Sequence, residues 1–240
     1  MSQEYIDIHN HILPGLDDGP HNMEGSLKMA WLAAKNGIKK IIATPHYNNE
    51  YYQPPKELIL NKLEQIRKEI INNGIPIELY SGNELRIAVD LLEKLNNQEV
   101  LPLAGSRFIL LEFPFHNIPI YAIELIADLF DNGWHPILAH CERIYDIQQN
   151  PNLLDRYISI GCMVQINSNS LTGELGKTSY KTAVELLKRG YVDIMASDAH
   201  SAHDRIPDFT KAIKISSKII GINKAEAMVS ETPARIFNNN

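Results

Sequence analysis

Three patterns are scarce or missing in this 240-residue chain. Cysteine is nearly absent: Cys141 and Cys162 are the whole complement, too few for a disulfide framework and in keeping with a reducing cytoplasm. No run of about 18 apolar residues occurs, so no membrane-spanning helix is expected. Positive charge is not in excess. Lys and Arg number 23 against 29 Asp and Glu, a net charge of −6, and the basic footprint of a nucleic-acid binder is missing. The first residues, Met-Ser-Gln-Glu-Tyr-Ile-Asp-Ile-His-Asn-His, have no cationic stretch ahead of an apolar core and do not read as a signal peptide. No linker, charge block, low-complexity segment or sequence repeat divides the chain, so a single domain over residues 1–240 is expected.

What is present has ordinary globular composition, 44% hydrophobic and 22% charged. One pattern recurs. A stretch with helical periodicity ends at a glycine, and an apolar strand follows within a few residues. The joints are Asn36-Gly37, Asn73-Gly74, Asn132-Gly133, Ile160-Gly161 and Arg189-Gly190. Glycine is favoured just past a helix because it enters the left-handed region without a Cβ clash. Apolar residues three and four apart mark buried helix faces: Met23, Leu27, Ala30, Trp31 and Ala34, then Leu63, Ile66 and Ile70, then Val184 and Leu187. Strands are expected over residues 5–11, 40–44, 75–81, 107–113, 135–139, 163–167 and 193–196. They begin about every 30 residues, the size of a βαβ unit, which implies a parallel sheet covered by helices. The expected fold is α/β, a distorted seven-stranded (β/α)7 relative of the TIM barrel. A doubly wound open sheet has the same local signature.

The chemistry lies at the strand ends. His9 and His11 end the first strand, His46 the second, Glu112 the fourth, His140 the fifth, and Asp198 and His200 the seventh; Glu84 follows the third. The carboxyl end of barrel strands is where active sites form. His9 and His11 stand two apart on a strand and point to one side, a spacing suited to two imidazoles on one cation. One strand-end histidine is commonly structural; eight imidazole and carboxylate groups on six strand ends point to metal. Carboxylate mixed with imidazole, without thiolate, indicates Mn²⁺, Fe²⁺ or Zn²⁺. With Asp18 as a further donor the set exceeds the needs of one tetrahedral ion. Two or three divalent cations sharing a carboxylate are therefore expected.

These residues, read in order, resemble the polymerase-and-histidinol-phosphatase (PHP) superfamily. The motifs are His9-Asn10-His11, Leu16-Asp17-Asp18-Gly19-Pro20, Thr44-Pro45-His46, Gly82-Asn83-Glu84, Glu112-Phe113-Pro114, Ala139-His140-Cys141-Glu142-Arg143 and Ser197-Asp198-Ala199-His200. Within it the chain is most similar to the capsule-type bacterial tyrosine-protein phosphatases, through residues 17–20 and 112–114 and through Arg143 and Arg205. Related histidinol phosphatases often have His at the positions of Asp18 and Glu112. The resemblance implies a distorted seven-stranded barrel and a trinuclear, usually manganese-dependent site. One ion would take His9, His11, Glu84 and Asp198. A second would share Glu84 and take Glu112 and His140. A third would take Asp18, His46 and His200, with Asp17 as the alternative to Asp18. The implied substrate is phosphotyrosine on the tail of a bacterial kinase controlling capsular or exopolysaccharide synthesis, attacked by a metal-bound hydroxide. Arg143 and Arg205 would hold the phosphoryl oxygens, because a guanidinium fork matches that geometry. His203 or a water would assist the leaving phenol. The oligomeric state is left open, a homo-oligomer included.

Competing readings are a small-molecule phosphatase such as histidinol-phosphate phosphatase, a nuclease, an amidohydrolase-type barrel and a non-catalytic metal-binding scaffold. A nuclease should show a basic track, and an amidohydrolase often uses a strand lysine as bridging ligand; no strand here ends in Lys. His140-Cys141 superficially matches the cysteine-dependent tyrosine phosphatases. Those place Arg six residues after the Cys, where this chain has Ile147. Cys141 is therefore expected to be a packed apolar residue. Tyr47, Tyr51 and Tyr52 with Pro54-Pro55 form either a packed loop or a stacking surface for a substrate ring. Asn48 and Asn49 fit a turn, Asn167, Ser168 and Asn169 could line the site, and Glu231-Thr232-Pro233 reads as the start of a terminal helix.

Overall fold

The computed structural model describes residues 4–47 and 51–238, so the turn expected at Asn48 and Asn49 lies outside the described residues. The strands are β1 (Tyr5–Asn10), β2 (Ile38–Ala43), β3 (His46–Tyr47), β4 (Glu78–Ser81), β5 (Glu84–Arg86), β6 (Phe108–Glu112), β7 (His135–Leu138), β8 (Met163–Asn167) and β9 (Ile194–Ala196). The helices are α1 (Met23–Lys35), α2 (Lys56–Asn72), α3 (Leu91–Asn96), α4 (Ala122–Asp131), α5 (Tyr145–Gln149), α6 (Asp155–Ser159), α7 (Ser168–Thr172), α8 (Lys177–Arg189), α9 (Thr210–Ile220), α10 (Ile222–Ala227) and α11 (Glu231–Asn238). Among the described residues, no helix is long and apolar enough to cross a membrane.

All strand pairs are parallel, in a three-stranded ladder β1-β2-β4 and a six-stranded ladder β3-β5-β6-β7-β8-β9. The expected strands thus neighbour one another in sequence order, but the second and third are each followed by a further short strand outside the expected range. β3 follows β2 after Thr44-Pro45, and β5 follows β4 after Gly82-Asn83. Pro45 has no N–H to give the ladder, and Asn83 spans the gap with its side chain. Its Nδ2 donates to Pro45 O at 3.1 Å, and its Oδ1 accepts the Leu101 N–H at 2.9 Å. The result is a mixed α/β fold whose parallel sheet curls in two ladders rather than running as one seven-membered sheet. The curl brings the segment after β9 against β1. Asp198 N–H donates to His9 O at 2.8 Å, and His11 N–H donates to Ala199 O at 2.9 Å.

Side-chain alternation decides what the curled sheet encloses. Phe108, Leu110 and Glu112 share one face of β6. Met163, Gln165 and Asn167 share one face of β8. Ile194 and Ala196 lead to Asp198. Along each, the residues near the amino end are apolar and those near the carboxyl end are polar. The apolar ones join Ile6, Ile8, Ile42, Leu103 and Ile137 in an inner cluster, which α11 closes through Ile236 and Phe237. The Phe237 ring packs edge-on against Tyr80, 4.7 Å between centroids. One end of the interior is plugged and the other is polar, which is why the functional side chains gather at a single end. The terminal helix begins as expected at Glu231, with Pro233 in its first turn.

The helices cover the outside. Ile59, Leu63, Ile66 and Ile70 of α2 are buried, as the periodicity requires. On α1 the buried stripe is Ser26, Met29, Ala30 and Ala33, and Trp31, expected inside, is exposed. At about 100° per residue, position 31 falls on the side of α1 opposite that stripe. All five glycines at the helix–strand joints have positive φ. At Gly37, with φ of +86°, a Cβ would also meet the Tyr5 ring at 3.3 Å.

Candidate metal centre

Every strand-end donor named above reaches one polar region. His9 Nε2, His11 Nε2, Glu84 Oε2 and Asp198 Oδ1 lie 3.2–3.4 Å apart across five of their six edges. His140 Nε2 stands 2.7 Å from Glu84 Oε1 and 3.7 Å from Glu112 Oε1. Asp18 Oδ1 lies 3.4 Å from His46 Nε2 and 3.2 Å from His200 Nε2, and His46 Nδ1 lies 2.9 Å from Glu84 Oε2. Donor atoms within 4.8 Å of one another form four overlapping groups: His11, Asp18, His46 and His200; His9, His11 and Glu84; His9, His140 and Asp198; His46, Glu84 and Glu112. All nine expected residues appear. The grouping differs in detail from the implied sets, since Glu112 meets His46 as well as Glu84, and Asp198 also meets His140.

The donor chemistry fits divalent cations. Tetrahedral donors about 2.0–2.1 Å from an ion stand about 3.3 Å apart, the spacing of the first four atoms. Glu84 Oε2 and His46 Nδ1 are fully buried and only 2.9 Å apart, yet neither has a hydrogen-bond partner of acceptable geometry. His140 Nδ1 and His200 Nε2 are orphaned likewise. Buried polar atoms are normally paired, and donor atoms that converge without a well-formed hydrogen bond between them suit a shared cation.

A second layer fixes the imidazoles. Asp17 Oδ2 lies 2.7 Å from His11 Nδ1, Gln165 Oε1 lies 3.2 Å from His9 Nδ1, and the Asp198 carbonyl lies 2.9 Å from His200 Nδ1. Such outer partners set tautomer and ring orientation. Asp17 also accepts the N–H groups of Gly19 at 2.9 Å and His46 at 3.2 Å, which commits it to support, whereas half-exposed Asp18 faces the imidazoles. The close turn depends on Gly19, where a Cβ would stand 2.2 Å from His11 O. Arg86 Nε meets Glu112 Oε2 at 3.1 Å.

Asp198 divides its oxygens. Oδ1 faces His9 and His11, while Oδ2 accepts from Asn167 at 2.6 Å and Arg143 at 3.2 Å and forms an ion pair with Arg205 at 2.5 Å. Both arginines therefore sit at the edge of the cluster. Arg143 also packs over the Phe115 ring, its Cζ 4.6 Å from the centroid. His140, Asp198 and Arg205 adopt positive φ of 31°, 51° and 51°. Such non-glycine conformations cost about 1–3 kcal/mol each and concentrate at functional sites.

Burial alone would raise the Glu84 and Asp198 carboxyls. The charges of His9 and His46 beside Glu84, and of His9 and Arg205 beside Asp198, instead hold both well below the usual range. Burial, reinforced by Glu84, pushes Glu112 up to about 7. Burial brings His140 down to about 4, so it is neutral and ready to ligate. For His46 the opposing Glu84 charge and contacts outweigh burial and raise it to about 10.

Cys141 is fully buried, its Sγ 3.5 Å from Leu138 O, and burial holds its thiol well above 9.0. No thiolate is on offer there. His203 is not gathered into the cluster; it lines a groove with Leu27 and Trp31 of α1. Tyr52 stacks on His46, ring centroids 6.0 Å apart and planes 10° from parallel, while Tyr51 is exposed. Asn167 joins the site; Ser168 and Asn169 are buried at the start of α7. Sequence reasoning passed over Asp7, Gln165 and Glu142. Asp7 holds Asn10 and Ser197, and Glu142 accepts from Ser170 and Asn167 N. Polar residues inside apolar strands, such as Asp7 and Gln165, are the signal that could have found two of them.

A family model of capsular polysaccharide synthesis proteins, CpsB/CapC, matches residues 5–238. The chain belongs to the CpsB/CapC family. Tyrosine-protein phosphatase YwqE of Bacillus subtilis is 36% identical over 234 residues, 98% of this chain and 92% of that protein. Tyrosine-protein phosphatase CpsB of Streptococcus pneumoniae is 30% identical over 237 residues, 97% of this chain and 98% of that protein. A solved structure from work on YwqE and CpsB, described as unique metal-dependent tyrosine phosphatases, superposes with a TM-score of 0.93 at 35% identity, covering 98% of this chain and 95% of that one. The family's fold thus extends over nearly the whole chain.

Proposed function

We propose that this CpsB/CapC chain is a metal-dependent tyrosine-protein phosphatase acting in the cytoplasm on the phosphotyrosine tail of a kinase that controls capsular or exopolysaccharide synthesis. The observation that carries this reading is one polar end holding overlapping imidazole–carboxylate groups with two guanidiniums at their edge. Two or three divalent ions, manganese foremost, would be held by His9, His11, Glu84 and Asp198; by Glu84, Glu112 and His140; and by Asp18, His46 and His200. The two ladders are then read as one distorted (β/α)7 barrel around them.

Divalent cations at this site would acidify a water and offset phosphate charge. The chain's own residues do the rest. Arg143 and Arg205 orient the phosphoryl group; Asp198 accepts an N–H from Arg143, pairs with Arg205 and holds both forks in place, and a guanidinium carries five donors. The leaving phenol has a pKa near 10, so protonating it asks little of the protein. The experiment is turnover of a phosphotyrosyl peptide, a phosphoseryl peptide and histidinol phosphate, with Mn²⁺ and with chelator. Mn²⁺-dependent hydrolysis of the first is expected. Preference for histidinol phosphate would overturn the reading.

A further inference from the structure

The mouth of the donor cluster is edged by loops that carry exposed apolar side chains. Val89, after β5, is 76% exposed; Ile120, after β6, is 98% exposed; Tyr145, after β7, is 55% exposed. Hydrogen bonds join these loops into one surface. The Tyr121 hydroxyl donates to Ile87 O at 3.3 Å, Ile118 N–H to Asp146 Oδ2 at 2.8 Å, and Tyr145 N–H to Phe115 O at 2.7 Å. The surface is continuous with the site. The chain leaves Glu112 among the donors and passes Phe115, whose ring lies 5.3 Å from that of His140 and beneath Arg143. It then emerges at Ile120. Residues 113–121 contain no Asp, Glu, Lys or Arg, and Pro114 and Pro119 restrict the backbone.

Exposed apolar side chains gathered beside a site mark an interaction surface, and a backbone already held in place loses little entropy on binding. A phosphotyrosine whose phosphate reaches Arg143 and Arg205 brings its neighbouring residues onto this rim. Resting on the phosphatase reading above, we infer that Val89, Ile120 and Tyr145 form a docking ridge for apolar residues flanking the phosphotyrosine of a protein substrate. Asp90 and Asp146 adjoin Val89 and Tyr145, but Asp90 is paired with Lys94 at 2.9 Å and Asp146 is held by the Ile118 N–H, so the ridge selects by apolar contact.

The test compares wild type with the V89S/I120S/Y145S variant and with Ile120→Ser alone, whose nearly complete exposure removes any folding penalty. Probes are p-nitrophenyl phosphate and two phosphotyrosyl pentapeptides, one flanked by leucine and isoleucine, the other by glycine and serine. Wild type should favour the apolar peptide by about tenfold in kcat/KM, equivalent to about 1.4 kcal/mol. The triple variant should lose that preference and Ile120→Ser part of it, with p-nitrophenyl phosphate turnover unchanged in both. Equal peptides in wild type, or a preference that survives the triple variant, would overturn the ridge alone. Turnover of p-nitrophenyl phosphate with neither peptide hydrolysed would refute the protein-phosphatase reading itself.

Discussion

Replacing Asp17 and Asp18 by asparagine, one at a time, separates two adjacent carboxylates by what each touches. Asp17 reaches the cluster only through His11, at 2.7 Å, and through the backbone N–H groups of Gly19 and His46. Asparagine fits the same space but keeps one acceptor oxygen; set toward His11 and His46, it turns its amide NH2 toward the Gly19 N–H, which loses its acceptor. It converts a charge-assisted bond, worth about 1.5–3 kcal/mol, into a neutral one of about 1 kcal/mol. The difference of about 0.5–2 kcal/mol corresponds to an about two- to thirtyfold weaker hold on cation, overlapping the range seen for outer partners of metal-bound histidine. Asp17→Asn should therefore raise the Mn²⁺ concentration needed for half-maximal turnover by about that factor, and excess Mn²⁺ should restore kcat. Asp18 directs Oδ1 itself at His46 and His200. Asp18→Asn removes an anionic donor, and kcat should fall about 100-fold or more at any Mn²⁺ concentration. Titrating phosphotyrosyl-peptide turnover in metal-buffered solutions distinguishes the two. An irrecoverable kcat loss in Asp17→Asn, with a mere shift in metal requirement for Asp18→Asn, would reverse the assignment and refute the reasoning.

Cys141→Ser should keep phosphotyrosyl turnover largely intact while costing about 1–3 kcal/mol of stability for a buried hydroxyl; a well-folded but inactive variant would revive thiolate chemistry. Gly19→Ala forces a Cβ against His11 O and should destabilise by about 1–3 kcal/mol or more, read as a lower urea midpoint at unchanged m. In chelator, His9, His11 and His46 have folded-state pKa values raised above 6.5, to about 10 for His46, because facing carboxylates outweigh burial. Their contribution is complete below pH 6.5 and is lost as pH rises through those values. The urea midpoint of the metal-free chain should therefore fall between pH 6.5 and 10, and a midpoint that climbs over that window would contradict the carboxylate pairing.

The chain's own order of residues determined a good deal. Glycine-ended helices alternating with apolar strands specified a parallel α/β sheet, because turn chemistry and periodicity are local. His9, His11, His46, Glu84, Glu112, His140, Asp198 and His200 were legible as a set because each sits at or just past a strand's carboxyl end. Tertiary structure alone decided what depends on distance across the sheet. Only the curl that sets Asp198 against β1 shows one carboxylate steadying two arginines, and only the turn at Gly19 sends Asp17 to His11 and Asp18 to His46. The same holds for Gln165 behind His9, for the extra short strands β3 and β5, and for Trp31 lying outside the core. Local pattern says which element a residue belongs to and which way alternation turns it. It cannot say how far that element lies from one over a hundred residues away, since that separation is fixed by packing of the whole chain.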